Sequence, residues 1–266
     1  MSRIGAAFRK NGTPAFIGFT VAGDPDPATS VRIGKTLIHA GTDILELGMP
    51  FSDPVADGPT IQKADERALA AGTTPDTVFA IIRELRAYSE VPIVLLTYFN
   101  TVYRRGITRF YREAHDAGVD GILIADMPVE ESGDAVRAAR ENEIDPVFLV
   151  ALTTSNDRLD TILRQARGYV YLVSVLGVTG TRESMSTETF ELLHRVHLHT
   201  PLPLAVGFGI STPAQVRACA AAGADGVIVG SAIVEIVARN RHDPDTMEQE
   251  LHRFVSVMKA AATPDR

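Results

Sequence analysis

Eight short, continuously apolar runs, each separated from the next by a stretch of helical periodicity, constrain this 266-residue chain more than any other feature. The runs are Ala15–Thr20, Ile44–Leu47, Ile93–Thr97, Gly121–Ala125, Pro146–Val150, Tyr169–Val173, Leu204–Val206 and Gly226–Val229. They are rich in Val, Ile and Leu and lack polar alternation, as strands buried on both faces do. Between them, Pro75–Tyr88 carries Val78, Ile81, Ile82 and Leu85 at helical spacing. A second helix is expected over Thr212–Ala222, opened by Ser211-Thr212-Pro213, a capping residue followed by proline. The segments HAGTDILELG, DAGVDGILIAD and AAGADGVIVG each run from a helix end through glycine into a strand. Their glycines, Gly41, Gly118 and Gly223, are expected in the left-handed conformation that stops a helix.

Strands alternating with helices in this way require a parallel sheet. The pattern predicts a (β/α)₈ barrel, with an open doubly wound sheet as the alternative. No linker, low-complexity tract or charge block interrupts the chain, so residues 1–266 read as one domain.

Composition narrows the partners. The net charge is −7, with acidic and basic residues interspersed, which argues against nucleic acid. A phosphorylated small molecule stays open, because helix N-termini bind phosphate without a basic surface. The single cysteine, Cys219, lies in the apolar run Ala218–Ala222 and reads as a buried helix residue rather than a catalytic thiol. One thiol forms no intrachain disulfide, which fits a reducing compartment. The start, MSRIGAAFRKNG, does not resemble a signal peptide, and no apolar stretch reaches membrane-spanning length. A soluble, cytoplasmic protein is expected.

In a barrel, functional groups belong at the C-terminal ends of strands and in the loops that follow. The segment Leu45–Pro59 stands out there. Glu46 interrupts an apolar strand between Leu45 and Leu47, so outward-facing leucines would turn it into the barrel. Burial would raise its pKa into the range of general acid–base chemistry; a structural glutamate satisfied by its neighbours is the alternative. The following loop holds Pro50, Pro54 and Pro59 with Asp53 and Asp57. Its prolines could present these carboxylates in fixed positions, although aspartates also form ordinary turns. The seven histidines do not gather near this loop, so no metal site is expected. Late in the chain, Gly177-Val178-Thr179-Gly180, Gly207-Phe208-Gly209-Ile210-Ser211 and Gly230-Ser231-Ala232 follow successive strands. Glycine loops after strands 7 and 8 suit a phosphate cradle, with plain tight turns as the alternative. Tyr98 and Tyr171 could reach the barrel mouth, but strand tyrosines more often pack.

These residues resemble the α chain of tryptophan synthase over nearly the whole chain, most specifically in Leu45–Gly58. Supporting motifs are Gly23-Asp24-Pro25, Asp126-Met127-Pro128-Val129-Glu130-Glu131 and the three late glycine segments. The resemblance implies a (β/α)₈ TIM barrel with an extra N-terminal helix. It also implies retro-aldol cleavage of indole-3-glycerol phosphate to indole and glyceraldehyde 3-phosphate. On the same ground Glu46 is the acid–base group, Asp57 the partner of the indole nitrogen, and Tyr171 a neighbour of the glycerol part. Phe19, Leu96, Tyr98, Ala125 and Phe208 would line the indole pocket. Gly180, Gly209, Gly230 and Ser231 would hold phosphate, and Thr179 would order Asp57, carried on a mobile loop, when the site closes. The resemblance further implies an α₂β₂ complex in which the β chain carries pyridoxal phosphate and this chain needs no cofactor. Asp53, Pro54, Asn100 and Pro128 would face the β chain. Two stretches depart from the family pattern: Leu152 stands where members often have proline, and Ser174-Val175-Leu176 where many have Arg-Ser.

Overall fold

The computed structural model describes residues 2–9, 12–173, 187–207 and 209–262. Eight parallel strands close into a barrel in sequence order, with β8 pairing back to β1. They are β1 (Ala15–Val21), β2 (Ile44–Gly48), β3 (Ile93–Thr97), β4 (Gly121–Ile124), β5 (Asp145–Ala151), β6 (Val170–Val173), β7 (Leu204–Gly207) and β8 (Gly226–Val229). The open doubly wound sheet is thereby ruled out. The expected strands differ from these by a residue at some ends.

Among the described residues the helices are α1 (Arg3–Arg9), α2 (Pro27–His39), α3 (Pro59–Ala70), α4 (Pro75–Tyr88), α5 (Phe99–Arg105) and α6 (Ile107–Ala117). They continue with α7 (Gly133–Glu141), α8 (Asn156–Gln165), α9 (Thr187–His197), α10 (Pro213–Ala221), α11 (Ser231–Arg239) and α12 (Pro244–Ala261). Helix starts follow the chemistry of their first residues: Asp26, Thr74, Ser155, Thr212 and Asp243 each accept from a backbone N–H of the first turn. Gly41, Gly118 and Gly223 all take positive φ, as their motif predicts. None of the described helices is long and apolar enough to cross a membrane.

Strand side chains divide by parity into two cores. Phe16, Leu45, Leu47, Leu95, Val150, Leu172, Val206 and Val229 face outward and pack with the helices. Ile17, Ile44, Val94, Leu123, Val147, Tyr169, Tyr171, Ala205 and Ile228 fill the interior. The barrel is therefore a packed core rather than a pore. Helix α1 seals its lower end: Ile4 and Ala7 join the interior cluster, and the Phe8 ring lies 5.5 Å from that of Tyr169. Room for this plug comes from Gly121 and Gly226, where a Cβ would sit 2.8 Å from Ile4 and Phe8 respectively. The other end, where the strands terminate, remains open to a cavity.

Candidate active site

Glu46 is positioned by the alternation of β2. Leu45 and Leu47 belong to the outer core and Ile44 to the interior, so the carboxyl between them points inward. Its strand partners are Phe19 and Val94, both apolar. The residue is 0% exposed, and neither carboxyl oxygen has a hydrogen-bond partner. Burial, and secondarily the charge of Asp57, push its pKa up to about 8. A buried carboxyl in this state is a neutral acid at pH 7. The structural alternative, a glutamate satisfied by hydrogen bonds to its neighbours, does not fit two unpartnered oxygens.

Asp57 lies at the end of the proline-rich loop, immediately before α3. Its carboxylate accepts a 2.6 Å hydrogen bond from the Tyr98 hydroxyl, which itself accepts from the Ala56 N–H at 3.1 Å. Phe51, at the other end of the loop, stacks on the Tyr98 ring with centroids 5.0 Å apart. The Asp57 backbone is held at both groups: its N–H donates to Pro54 and its carbonyl accepts from the Gln62 amide. Burial raises the Asp57 pKa, and the Tyr98 hydrogen bond opposes that rise. Tyr98 itself is buried behind the aspartate and is absent from the cavity wall. Its role here is thus to hold Asp57, which differs from the pocket-lining position expected of it. The expectation rested on the family resemblance, and nothing in the sequence tied its hydroxyl to a residue 41 positions earlier.

A cavity of about 260 Å³ opens at the C-terminal end of the barrel. Phe19, Leu96, Ala125, Asp57, Tyr171, Gly209, Gly230 and Ser231 line it, so the structure brings these expected residues together. Glu46 lies beneath this surface, wholly enclosed. Leu149, Val173, Ile228 and Ile61 also form the wall and escaped sequence reasoning. The first three share the inward parity of their strands and could have been found by counting in twos from Val147, Tyr171 and Gly226. Ile61 opens the apolar stripe Ile61, Ala64 and Ala68 of α3, whose helical spacing marks a buried face but not its place at the cavity. Thr179, Gly180 and Phe208 lie outside the described residues.

Tyr171 is buried, with its hydroxyl against β7. A Cβ at Gly207 would stand 2.4 Å from that oxygen, so only glycine admits the tyrosine here. Burial, followed by the charges of Glu46 and Asp57, raises its pKa far above that of a free phenol, and it remains a neutral hydroxyl. At the same end of the barrel, α11 begins at Gly230 and Ser231 with no side-chain cap and no acidic residue in its first turn. Its first backbone N–H groups are unsatisfied within the helix and lie at the cavity, a ready site for an anion. Among the described residues no group of three His, Cys, Asp or Glu side chains could hold a metal. Cys219 is buried in α10, where burial pushes its thiol up to about 12. The four residues expected at a partner surface, Asp53, Pro54, Asn100 and Pro128, sit in segments following β2, β3 and β4, on the same end as the cavity.

A buried acid, a hydrogen-bonded aspartate and an uncapped helix start gathered around one cavity, at the end where such folds keep their reactions, define a (β/α)₈-barrel enzyme. Comparison with known proteins gives its family. The tryptophan synthase alpha chain family model matches residues 6–263, and the chain belongs to that family of lyases. It is 70% identical to the tryptophan synthase alpha chain of Methanoregula boonei over 98% of this chain and 99% of that protein. Identity to the alpha chain of Methanothermobacter thermautotrophicus is 50%, over 96% of this chain and 94% of that one. Among solved structures, tryptophan synthase subunit alpha of Legionella pneumophila superimposes with a TM-score of 0.90 at 34% identity, covering 98% of each chain. A chain from the tryptophan synthase α₂β₂ complex of Pyrococcus furiosus gives 0.88 at 39% identity, covering 93% of this chain and 98% of that one.

Proposed function

We propose that this chain cleaves indole-3-glycerol phosphate by a retro-aldol reaction, releasing indole and glyceraldehyde 3-phosphate, as the α subunit of an α₂β₂ tryptophan synthase. One observation carries the reading: a neutral, fully buried, unpartnered acid, Glu46, lies under an apolar cavity that has Asp57 on its rim. The reaction needs both groups. Indole C3 must gain a proton before the carbon–carbon bond breaks, and the side-chain hydroxyl must lose one as the aldehyde forms. Glu46 delivers the first proton and, once ionised, takes the second, so the proton count closes on one carboxyl. Asp57 accepts the indole N–H and stabilises the positive charge that C3 protonation places on the ring. Tyr98 supports that role, because its hydrogen bond favours the ionised aspartate. Phe19, Leu96, Ala125 and Leu149 offer the apolar surface an indole requires. The start of α11, with Gly209 and Ser231, receives the phosphate, and Tyr171 stands beside the glycerol part. Thr179, Gly180 and Phe208 complete the set by family resemblance.

Both proton steps fall to side chains of this chain, so the reading assigns it no cofactor; pyridoxal phosphate belongs to the β chain that consumes indole. The α₂β₂ assembly of the Pyrococcus furiosus relative supports a β partner. So do two exposed apolar side chains on the cavity end, Val55 at 82% and Tyr103 at 67%.

The test supplies the purified protein with indole-3-glycerol phosphate, alone and with a tryptophan synthase β chain, and follows indole or tryptophan. Release that rises when β is added is the expected result. Absence of product in both arms would refute the reaction, and a high rate indifferent to β would make the protein a free-standing lyase.

A further inference from the structure

Phe51, in the loop after β2, has two neighbours of different kinds. Its ring stacks on Tyr98, with centroids 5.0 Å apart and planes 19° from parallel. It also lines a surface groove of about 440 Å³, with Asn100, Arg104 and Arg105 of α5 and Arg109 of α6. No acidic residue lines this groove, although the chain as a whole carries a net charge of −7. Arg105 is paired with Asp76 and Glu113, and Arg109 shares Glu113. Arg104 is exposed and has no hydrogen bond or ion pair among the described residues. Three guanidinium groups against two carboxylates leave one positive charge free at the groove, and a free guanidinium is a receptor for a carboxylate. The groove continues the surface assigned above to the β chain. Asn100 belongs to both, exposed Tyr103 precedes Arg104 on α5, and exposed Val55 shares the loop with Phe51.

We propose that this groove receives an acidic segment of the β partner, and that the docked segment acts on the site through Phe51, Tyr98 and Asp57. Its chemistry defines the occupant: a carboxylate for Arg104, next to an apolar side chain that covers Phe51. A free anion would meet the charge and leave the ring uncovered. The path inward consists of direct contacts. The docked segment touches Phe51, the Phe51 ring stacks on Tyr98, and the Tyr98 hydroxyl donates to Asp57 at 2.6 Å. A shift of the ring therefore moves the phenol, and the phenol sets where the Asp57 carboxylate stands. Phe51 is thus a positioning residue with one contact on the partner surface and one toward the reaction.

This inference deepens the α₂β₂ reading and rests on it. Binding of the full chain to a tryptophan synthase β chain is measured by titration calorimetry, with no substrate present, at ~50 mM and ~500 mM sodium chloride. R104E is expected to raise Kd at least ~10-fold at the lower salt and R104K less than ~3-fold, with the R104E deficit shrinking at the higher salt. Arg104 is exposed and unpaired, so neither variant threatens the fold. R104E that binds as tightly as wild type would overturn the docking site, and a deficit indifferent to salt would overturn its acidic occupant. In the indole assay, F51L is expected to bind β within about 3-fold of wild type yet to lose at least ~5-fold of the stimulation of kcat that β provides. Undiminished stimulation in F51L would overturn the path through Tyr98. Wild type that fails to bind β would overturn the assembly and this site together. Wild type that binds β but releases no indole would sink the lyase reading alone, while the binding arm still decides whether the groove takes an acidic segment.

Discussion

Two carboxyl groups in one site are held in different states by different surroundings. Glu46 has apolar neighbours and no donor, so burial keeps its proton on up to about pH 8. Asp57 has a phenol donating to it and remains closer to an ordinary carboxylate. E46Q should therefore lower turnover at least ~100-fold, the scale of losing a positioned acid. It should also stabilise the fold at pH 8. In the unfolded chain Glu46 releases its proton above about pH 4.5, whereas the folded protein retains it to about pH 8. Wild type therefore loses stability as pH rises between those values, and the glutamine variant does not. Urea titrations at pH 5 and pH 8 should show the advantage of E46Q growing by about 3–4 kcal/mol across that interval. Equal differences at the two pH values would mean that Glu46 is ionised in the folded state. Y98F tests the second carboxyl. Without the hydroxyl, Asp57 loses the interaction that lowers its pKa, so the acid limb of kcat/KM should move to higher pH, with a fall of about 10-fold near neutrality. An unmoved limb would separate Tyr98 from Asp57.

Elements explain which parts of the site could be read beforehand. Uninterrupted runs such as Ile93–Thr97 announce buried parallel strands because both faces must be apolar, and Glu46 is conspicuous as the exception. The start of α11 is legible too, since Gly230-Ser231 follows the last strand and opens a helix without a side-chain cap at the cavity. What the sequence hides are pairings between elements. Tyr98 with Asp57 and Arg67 with Asp24 join residues more than 40 positions apart. The burial of Asp65 in α3 is equally silent, because an aspartate in a mixed helix such as PTIQKADERALA looks like a solvated face until the barrel buries it. The α11 terminus carries its own prediction. S231D places a negative charge where the substrate phosphate would sit, so KM for indole-3-glycerol phosphate should rise at least ~100-fold. An acidic residue in a first turn also complements the helix dipole, so the melting temperature should hold or increase slightly. A small KM change in a stable S231D protein would place the phosphate elsewhere.

Across the whole molecule the two ends of the barrel divide the labour. At the C-terminal end the interior core stops short, leaving the cavity with Asp57 at its rim, and exposed Val55 and Tyr103 lie on that side. At the other end α1 closes the interior completely, with Ile4 fully buried against β4 and Phe8 against Tyr169. The plug supports Glu46 only at a distance: Tyr169 lies between them in the same interior core, and rigid packing below keeps the layers above in register. Stability and chemistry should thus be separable by end, as they are in barrels generally. I4A removes buried methyl and methylene groups from a site that glycine has already brought close, and collapse around the gap is limited by the barrel wall. It should cost about 2–4 kcal/mol in urea unfolding. At a temperature where I4A remains folded, kcat and KM for indole release should stay within about 2-fold of wild type, because ~0.4 kcal/mol is all that such a factor represents. A large kcat loss in folded I4A would show that the plug reaches the catalytic layer, and the barrel would then have to be treated as one mechanical unit from α1 to Glu46.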